Sequence, residues 1–226
     1  TKVTGTFPRL IMEDGREVSI YRRSSANILE QLSIVKYAAS RKVKALVIEC
    51  MALQPQFQWI TDNQMIHATA GVITNVRMDH IDIMGYTLNS IADSLGNTIP
   101  RNQKLFTSEN IIKGKMTEMA QRKNAVPYFS NVNSVSKEEM KGFSYIEHRE
   151  NVALALDICE NVGVKRAIAL KGMYKALPDE GALKAFHVKI FGKEITFYNA
   201  FAANDPDSSF MIWQKLENEV GLDGTR

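Results

Sequence analysis

Residues 71–85 read GVITNVRMDHIDIMG, and this stretch decides the fold. Its first six residues, GVITNV, predict a β-strand whose end carries Asn75. The loop beyond this strand reads RMDHID and contains Asp79, His80 and Asp82. In open α/β sheets, ligands bind beyond the carboxyl ends of the strands. We therefore interpret this loop as a candidate binding site.

A second apolar run, VKALVI at residues 43–48, predicts a strand that is buried on both faces, as in a parallel sheet. Glu49 follows it directly, so Glu49 and the polar loop after residue 76 lie at the same sheet edge if the two strands are neighbours. Mg²⁺ prefers oxygen ligands and keeps several waters, so one carboxylate, one further side chain and phosphate oxygens would hold it. Spacing alone leaves plainer interpretations open: a solvated strand end at Glu49, and a turn or helix cap at Asp79-His80.

The middle of the chain alternates between predicted strands and helices. Thr87 caps a predicted helix on which Leu88, Ile91 and Leu95 align along one face. The other predicted elements here are a helix at about 56–68, a strand at 104–107, a helix at about 109–122 and a strand at 125–130. This alternation predicts an α/β fold, a three-layer open and mostly parallel sheet with right-handed crossovers.

The two ends of the chain predict smaller units. Residues 9–20 predict a hairpin around Asp14-Gly15, and Ser24 or Ser25 then caps a helix. The apolar face predicted for that helix consists of Ile28, Leu32, Val35 and Ala39. The elements predicted after residue 145 are helices at 149–162 and 165–175, a hairpin at 186–201 turned by Gly192-Lys193, and a last helix with Pro206 in its first turn.

Composition excludes several classes of protein. The 226 residues carry a net charge of +3 without a clustered basic footprint, which does not predict nucleic-acid binding. No apolar run approaches the roughly 20 residues that cross a bilayer. Cys50 and Cys159 lie far apart, so we expect reduced cytosolic thiols and no disulfide framework. The chain opens at Thr1 with neither an initiator Met nor a secretory leader, and we expect a trimmed chain or a fragment.

Two stretches resemble the paired signatures of a known enzyme family. Residues 49–53, ECMAL, and residues 71–85 are similar to signatures of the catalytic subunit of poly-γ-glutamate synthases, the CapB/PgsB family. In the related Mur ligases and folylpolyglutamate synthases, the second signature follows the pattern N-x-x-x-D-H-x-D-x-x-G. The fixed places of that pattern are filled here by Asn75, Asp79, His80, Asp82 and Gly85. The resemblance implies the P-loop NTPase-like central domain of a Mur ligase.

The resemblance also implies roles for individual residues. Glu49 and His80 would be the catalytic residues and the Mg²⁺ ligands, although histidine is an unusual Mg²⁺ ligand on grounds of hardness. Asn75 would belong to the cofactor site, and Asn151 in the run NVALA would face the base of ATP. A plain helix N-cap is the alternative for Asn151. The run that contains Asn204-Asp205 resembles the element that opens the third Mur-ligase domain, and both residues would complete the cofactor site.

Two features of the family are missing from this sequence. No phosphate loop of the G-x-x-x-x-G-K-[ST] kind is present, and the run GKMT at 114–117 is no substitute because Glu109 stands where the first Gly should be. The basic Arg-Asp-Arg element of the family's C-terminal domain is absent after Arg226. The implied domains are 1–185, a Mur-ligase-like central ATPase domain without its phosphate loop, and 186–226, a hairpin and helix leading into a truncated C-terminal domain. We expect the fold to be incomplete at both ends and this chain alone to be inactive.

The implied activity is that of an ATP-dependent amide ligase in capsule or polymer biosynthesis. ATP would phosphorylate the terminal carboxylate of a poly-γ-glutamate chain, and the amine of an incoming glutamate would attack the acyl phosphate. The implied partners are glutamate, the polymer, the membrane subunits of a synthase and export complex, and, as an open question, further copies of the chain. The implied location is the cytoplasm, with peripheral membrane association through those subunits. Two alternatives stay open: a non-catalytic or accessory fragment of such a synthase, and another Mur-fold ligase acting on folylpolyglutamate or a peptidoglycan precursor.

Overall fold

The computed structural model describes residues 8–22, 26–178, 181–201, 203 and 206–220, without the side chains of 207, 219 and 220. The strands are β1 (Arg9–Ile11), β2 (Glu17–Ser19), β3 (Ala70–Ile73), β4 (Lys104–Thr107), β5 (Val126–Phe129), β6 (Lys184–Ile190) and β7 (Lys193–Asn199). The helices are α1 (Glu30–Ser40), α2 (Pro55–Ile60), α3 (Ile81–Met84), α4 (Leu88–Leu95), α5 (Lys113–Arg122), α6 (Lys137–Met140), α7 (Arg149–Asn161), α8 (Arg166–Met173) and α9 (Pro206–Val220). A π-helical segment, Thr61–Ile66, continues α2.

The central sheet consists of β3, β4 and β5, which pair in parallel in that order. Parallel neighbours need a crossover between them, and α4 and α5 supply helices for the two connections. One face of the sheet packs on these helices to form the main core, whose buried members are Ile73, Val76, Ile91, Ala92, Ile99, Leu105, Met116, Met119, Ala120 and Ala125. The predicted alternation of strands and helices is therefore confirmed in this region.

A second layer of helices completes the α/β arrangement. Helix α7 packs against β4, and the ammonium group of Lys104 donates to Asn161 Oδ1 at 2.7 Å. The buried residues of this second core are Val135, Val152, Ala153, Leu156, Ala169 and Leu170. These residues come from α7, α8 and the loop before α6, so helices accompany the sheet in the layered arrangement that the sequence predicted.

The turn between β3 and α4 is shaped by a glycine and a helix cap. Gly85 has φ +105°, and a Cβ atom there would lie 2.5 Å from Ser90 Oγ, so only glycine fits. The hydroxyl of Thr87 accepts from the Ser90 N–H at 3.1 Å, and the Ser90 hydroxyl accepts from the Thr87 N–H at 3.0 Å. This capping box begins α4 where the sequence predicted, and it fixes the end of the loop that carries His80.

The strand predicted at residues 43–48 is wrong. The segment has no strand structure, and Val43, Leu46 and Val47 expose 38 %, 37 % and 76 % of their surface. With β1 and α1 it lines an apolar groove of about 620 Å³. A strand needs a neighbour for its backbone ladder, and in the described part of the chain β3 pairs only with β4. Apolar composition alone therefore did not make this segment a strand.

Both predicted hairpins are present. β1 and β2 pair in antiparallel fashion around Asp14 and Gly15, as predicted. β6 and β7 also pair in antiparallel fashion, but their turn is Phe191-Gly192, one residue earlier than predicted. Both turn residues have positive φ, +49° and +77°, which is the backbone of the type I′ turns that suit the twist of paired strands.

The face predicted for the first helix is shifted. The residues of α1 that are buried are Gln31, Ile34 and Ala38, whereas Ala39 is exposed. The cap predicted at Ser24 or Ser25 lies outside the described residues. None of the described helices is long and apolar enough to span a membrane.

Candidate functional site

A cleft of about 310 Å³ with mixed polar and apolar walls opens beyond the carboxyl end of β3. Its walls come from the loop after β3, the segment before α7, and α9. The lining residues are Asn75, Arg77, Tyr145, Ile146, Glu147, His148, Glu150, Asn151, Gly181, Ala182, Leu183, Ala203, Ser208, Met211 and Ile212. The structure thus brings together Asn75 and Asn151, two residues that lie far apart in sequence and that we predicted as cofactor ligands.

The other predicted cofactor residues, Asn204 and Asp205, lie outside the described residues. Their neighbours Ala203 and Ser208 line the cleft. The chain around them therefore reaches the cleft, and their own role stays a prediction.

The segment before α7 is organised by the Glu147 carboxylate. It accepts from the Tyr145 hydroxyl at 3.0 Å, from the His148 N–H at 2.7 Å and from Asn151 Nδ2 at 3.2 Å. Burial, with the nearby Glu147 charge, raises the pKa of Tyr145 to about 12. The Glu147 carbonyl accepts from Lys215 Nζ at 2.9 Å, which ties α9 to this wall of the cleft.

The N-cap alternative for Asn151 is wrong. Helix α7 begins at Arg149 with His148 as its N-cap, so Asn151 lies in the first turn. Its amide nitrogen donates back to Glu147, and the residue remains exposed at the cleft. The Asn151 side chain makes no capping hydrogen bond, so it is accessible to a ligand.

The loop after β3 is held by a buried carboxylate that the sequence analysis did not select. Glu109, just after β4, is only 2 % exposed. Its carboxylate accepts from the backbone N–H of Val76 at 2.8 Å, of Ile111 at 2.6 Å and of Ile112 at 3.3 Å. The strand-end rule that drew attention to Glu49 also applies to an acidic residue shortly after the run KLFT, and it could have found Glu109.

Arg77 reaches the cleft from the same loop. Its Nη1 lies 4.0 Å from Glu109 Oε2 and donates to the Val76 carbonyl at 3.3 Å. The Arg77 side chain is 31 % exposed. Arg77 is thus a partly covered cation beside Asn75, paired at a distance with a fully buried anion.

His80 occupies the start of α3. It has φ +47°, and its N–H donates to Asp79 Oδ1 at 2.8 Å. Its Nε2 atom lies 3.5 Å from Asp79 Oδ2. Asp79 therefore holds the backbone of His80 and lies beside its ring.

Glu49 is half-buried in the connection between α1 and α2. Its carbonyl accepts from Gln31 Nε2 at 2.7 Å, which anchors this connection to α1. Burial raises the pKa of the adjacent Cys50 thiol, and the negative charges of Asp62 and Glu49 add to the effect. A raised pKa disfavours the thiolate, so Cys50 is a poor nucleophile.

The described residues do not form a closed metal centre. No group of three or more His, Cys, Asp or Glu side chains in this part of the chain is placed to hold an ion. Glu49 and His80 would offer one carboxylate and one imidazole, which falls short of the oxygen shell that Mg²⁺ prefers. Waters and phosphate oxygens would have to supply the remaining ligands.

The end of the chain matches a known family model. Residues 185–225 match the poly-gamma-glutamate synthase CapB C-terminal domain. The match contains β6 except its first residue, all of β7 and all of α9, the helix that lines the cleft.

Two curated proteins are similar along nearly the whole chain. The capsule biosynthesis protein CapB of Bacillus anthracis is 38 % identical over 219 residues, which are 96 % of this chain and 47 % of the relative. The PGA synthase CapB of Bacillus subtilis (strain 168) is 33 % identical over 222 residues, which are 97 % of this chain and 56 % of the relative. The chain therefore spans about half the length of the curated relatives it matches.

Solved structures show the same type of fold at low sequence identity. E. coli FolC in complex with DHPP and ADP aligns with a TM-score of 0.55 and 16 % identity over 69 % of this chain and 39 % of its own. A point mutant of L. casei FPGS aligns with a TM-score of 0.58 and 14 % identity over 80 % of this chain and 49 % of its own. The α/β fold is thus of the Mur-ligase kind, and nearly the whole chain is similar to part of the poly-γ-glutamate synthase CapB proteins.

Proposed function

We propose that this chain forms the central part of an ATP-dependent ligase that adds glutamate to poly-γ-glutamate. The observation that carries the proposal is the cleft at the carboxyl end of β3, where Asn75, Arg77 and Asn151 meet. Ligands of open α/β sheets bind at this edge. The similarity to two CapB proteins supplies the substrate class, because one of them is named a PGA synthase.

Nucleotide binding is proposed for the same cleft. One FolC structure of this fold contains ADP and DHPP, and another contains ADP without folate substrate. We place the base beside Asn151, whose exposed amide keeps an oxygen acceptor and one N–H donor after its bond to Glu147. Asn75, Asn204 and Asp205 stay the further proposed nucleotide-binding residues.

Glu49 and His80 stay the proposed catalytic residues and Mg²⁺ ligands. When bound, the ion would offset the negative charge that develops during phosphoryl transfer. Asp79 accepts from the His80 N–H at 2.8 Å, and the Gln31 bond to the Glu49 carbonyl fixes the other segment. Formation and aminolysis of an acyl phosphate need no side-chain nucleophile, which agrees with the raised pKa of Cys50.

The proposed partners follow the proposed reaction. They are glutamate, the polymer, and membrane subunits that export the polymer, with nucleic acid excluded on charge grounds. We propose a cytoplasmic enzyme that associates with the membrane through these subunits, and self-association is part of the same proposal.

The test is ADP release by the intact enzyme, measured with and without glutamate and a poly-γ-glutamate primer. We expect release that depends on glutamate, together with a polymer that becomes longer. Release that is independent of any amine donor would contradict the proposal. The 226-residue chain alone is the control, and we expect it to be inactive because no phosphate loop occurs in its sequence.

The fold alone favours one alternative, a folylpolyglutamate-type ligase, because the FolC and FPGS structures align with the chain. A screen of carboxylate acceptors separates the two functions. Elongation of a folate and not of poly-γ-glutamate would replace our proposal with this one.

A further inference from the structure

The pair formed by Arg77 and Glu109 lies outside the set of predicted site residues. Resting on the function proposed above, we propose that Arg77 is the anion-binding residue of the cleft and that Glu109 is its positioning residue. The bound group is a substrate oxyanion, either a carboxylate of glutamate or of the polymer end, or a phosphate of the nucleotide.

The cleft is lined by charged side chains of both signs. Arg77 is the only Lys or Arg among the described lining residues, whereas Glu147 and Glu150 also line it. Every substrate of the proposed reaction is an anion. A cleft with two carboxylates repels such groups unless a cation receives them, and Arg77 supplies that cation beside Asn75.

The Arg77 guanidinium is only loosely paired with Glu109. A bidentate pair with a carboxylate has N···O distances of about 2.7–2.9 Å. Here the nearest approach to Glu109 is 4.0 Å, and the only acceptor bonded to Arg77 in the described residues is the Val76 carbonyl at 3.3 Å. Most of its N–H donors are therefore left for a ligand, and their planar fork matches a carboxylate or a phosphate.

Glu109 does not form a close ion pair with Arg77, because its carboxylate is held by backbone bonds. The Glu109 carboxylate already accepts three backbone N–H groups, which hold it beneath the loop. One of these bonds, to Val76, fixes the residue before Arg77. Glu109 therefore sets the position of the Arg77 backbone and supplies a nearby countercharge, without covering the guanidinium.

The plain alternative is that Arg77 only neutralises the buried Glu109. In that case, removal of its charge would lower stability and leave substrate affinity unchanged. An ion pair whose residues do not line the cleft serves for comparison: Arg166 Nε bonds to Glu139 Oε1 at 2.8 Å, between α8 and α6. Arg166→Gln is therefore the control for Arg77→Gln.

The kinetic experiment uses the intact enzyme with ATP and glutamate varied separately. We expect Arg77→Gln to raise KM for one substrate about tenfold or more, which is about 1.4 kcal/mol. A higher KM for ATP would identify the bound group as a phosphate, and a higher KM for glutamate would identify it as a carboxylate. We expect Glu109→Gln to raise the same KM by a smaller factor, because a Gln amide has one oxygen acceptor and cannot hold the N–H groups of both Val76 and Ile111, which loosens the position of Arg77.

Melting temperatures separate binding from folding. Arg166→Gln is expected to lower the melting temperature and leave both KM values unchanged. The inference is overturned if Arg77→Gln behaves like Arg166→Gln, with both KM values within twofold of the wild type. A rise in the other KM for Glu109→Gln would overturn its positioning role.

A binding measurement keeps this inference distinguishable from the proposed function. Calorimetry of the intact wild-type enzyme with ADP and with a γ-linked glutamate trimer requires no turnover. If the wild type binds neither probe, the proposed function fails. If the wild type binds at least one probe and Arg77→Gln binds both probes as the wild type does, the proposed function stands and the role of Arg77 fails.

Discussion

Two apolar runs of similar composition adopt different structures in this protein. The run at 104–107 is the central strand β4, in which Leu105 is completely buried. The run at 43–48 forms no strand and lines an exposed groove. β4 has a hydrogen-bonded neighbour on each side and helices on both faces, whereas no strand in the described part of the chain pairs with 43–48. The comparison shows that apolar composition alone does not place a segment in the sheet.

The largest expected effect tests this contrast directly. Leu105→Ala opens a cavity between β4 and the main core, and we expect a loss of about 2–5 kcal/mol in the free energy of unfolding. Leu46→Ala is the matched change in the exposed segment, and we expect it to cost less than about 1 kcal/mol. Urea denaturation of the two variants measures both. Equal losses would mean that residues 43–48 are packed like a strand.

The same contrast applies to the two proposed metal ligands, because Glu49 follows the segment that forms no strand and His80 follows β3. We expect Glu49→Gln and His80→Ala each to lower glutamate-dependent ADP release by the intact enzyme roughly 100-fold, as for the loss of one electrostatic contact to the transition state. Glu118→Gln on the surface of α5 is the control and should keep its activity. Unchanged release in both site variants would show that the metal assignment is wrong.

A smaller effect concerns the part of the molecule where α6 meets α8. Hydrogen bonds from Arg166, and then from the Ser136 N–H, lower the pKa of Glu139 from 4.5 to about 2. A carboxylate with a lowered pKa contributes stability above its unfolded value and loses that contribution as pH falls through the folded value. We therefore expect the wild type to lose stability between pH 4.5 and about 2, and Glu139→Gln to flatten this part of the profile. Thermal melts across this pH range provide the measurement, and equally steep profiles for the two proteins would contradict the assignment.

The smallest effect concerns the cap that ends the loop after β3. We expect Thr87→Ala to cost about 1 kcal/mol, because the Ser90 N–H loses its acceptor at the start of α4. Thr117→Ala is the matched change, at a half-buried position of α5 where the hydroxyl donates to the Lys113 carbonyl, and it should stay within about 0.5 kcal/mol. Chemical denaturation of both variants checks this, and an equal cost would show that the capping box contributes nothing beyond an ordinary helix hydroxyl.

The features that sequence reasoning predicted well are local ones. β4 occupies residues 104–107 as predicted, Thr87 caps α4, and Asp14-Gly15 turns the first hairpin. The cap and the turn each depend on residues within a few positions of one another, whereas β4 also needed its neighbours β3 and β5. The prediction failed at 43–48, whose partner had to come from elsewhere in the chain.

The candidate site shows the same limit. The signature in residues 71–85 identified the loop, and its Asn75 lines the cleft. Glu109 was missed as a site residue, because its importance depends on a bond to Val76, 33 positions away. The run NVALA also did not predict which residue is the N-cap of α7. His148 is the N-cap, and Asn151 donates to Glu147.

The sequence by itself determined the family signatures, the positions of most helices and strands, and the residues of the loop after β3. These features follow from composition, caps and turns, whose energies act between near neighbours. Only the tertiary structure decided which apolar run joined the sheet, which carboxylate was buried beneath the loop, and which segments met across the cleft. Burial and hydrogen bonding between distant segments set those outcomes, because a buried polar group is stable only where its partners are brought to it.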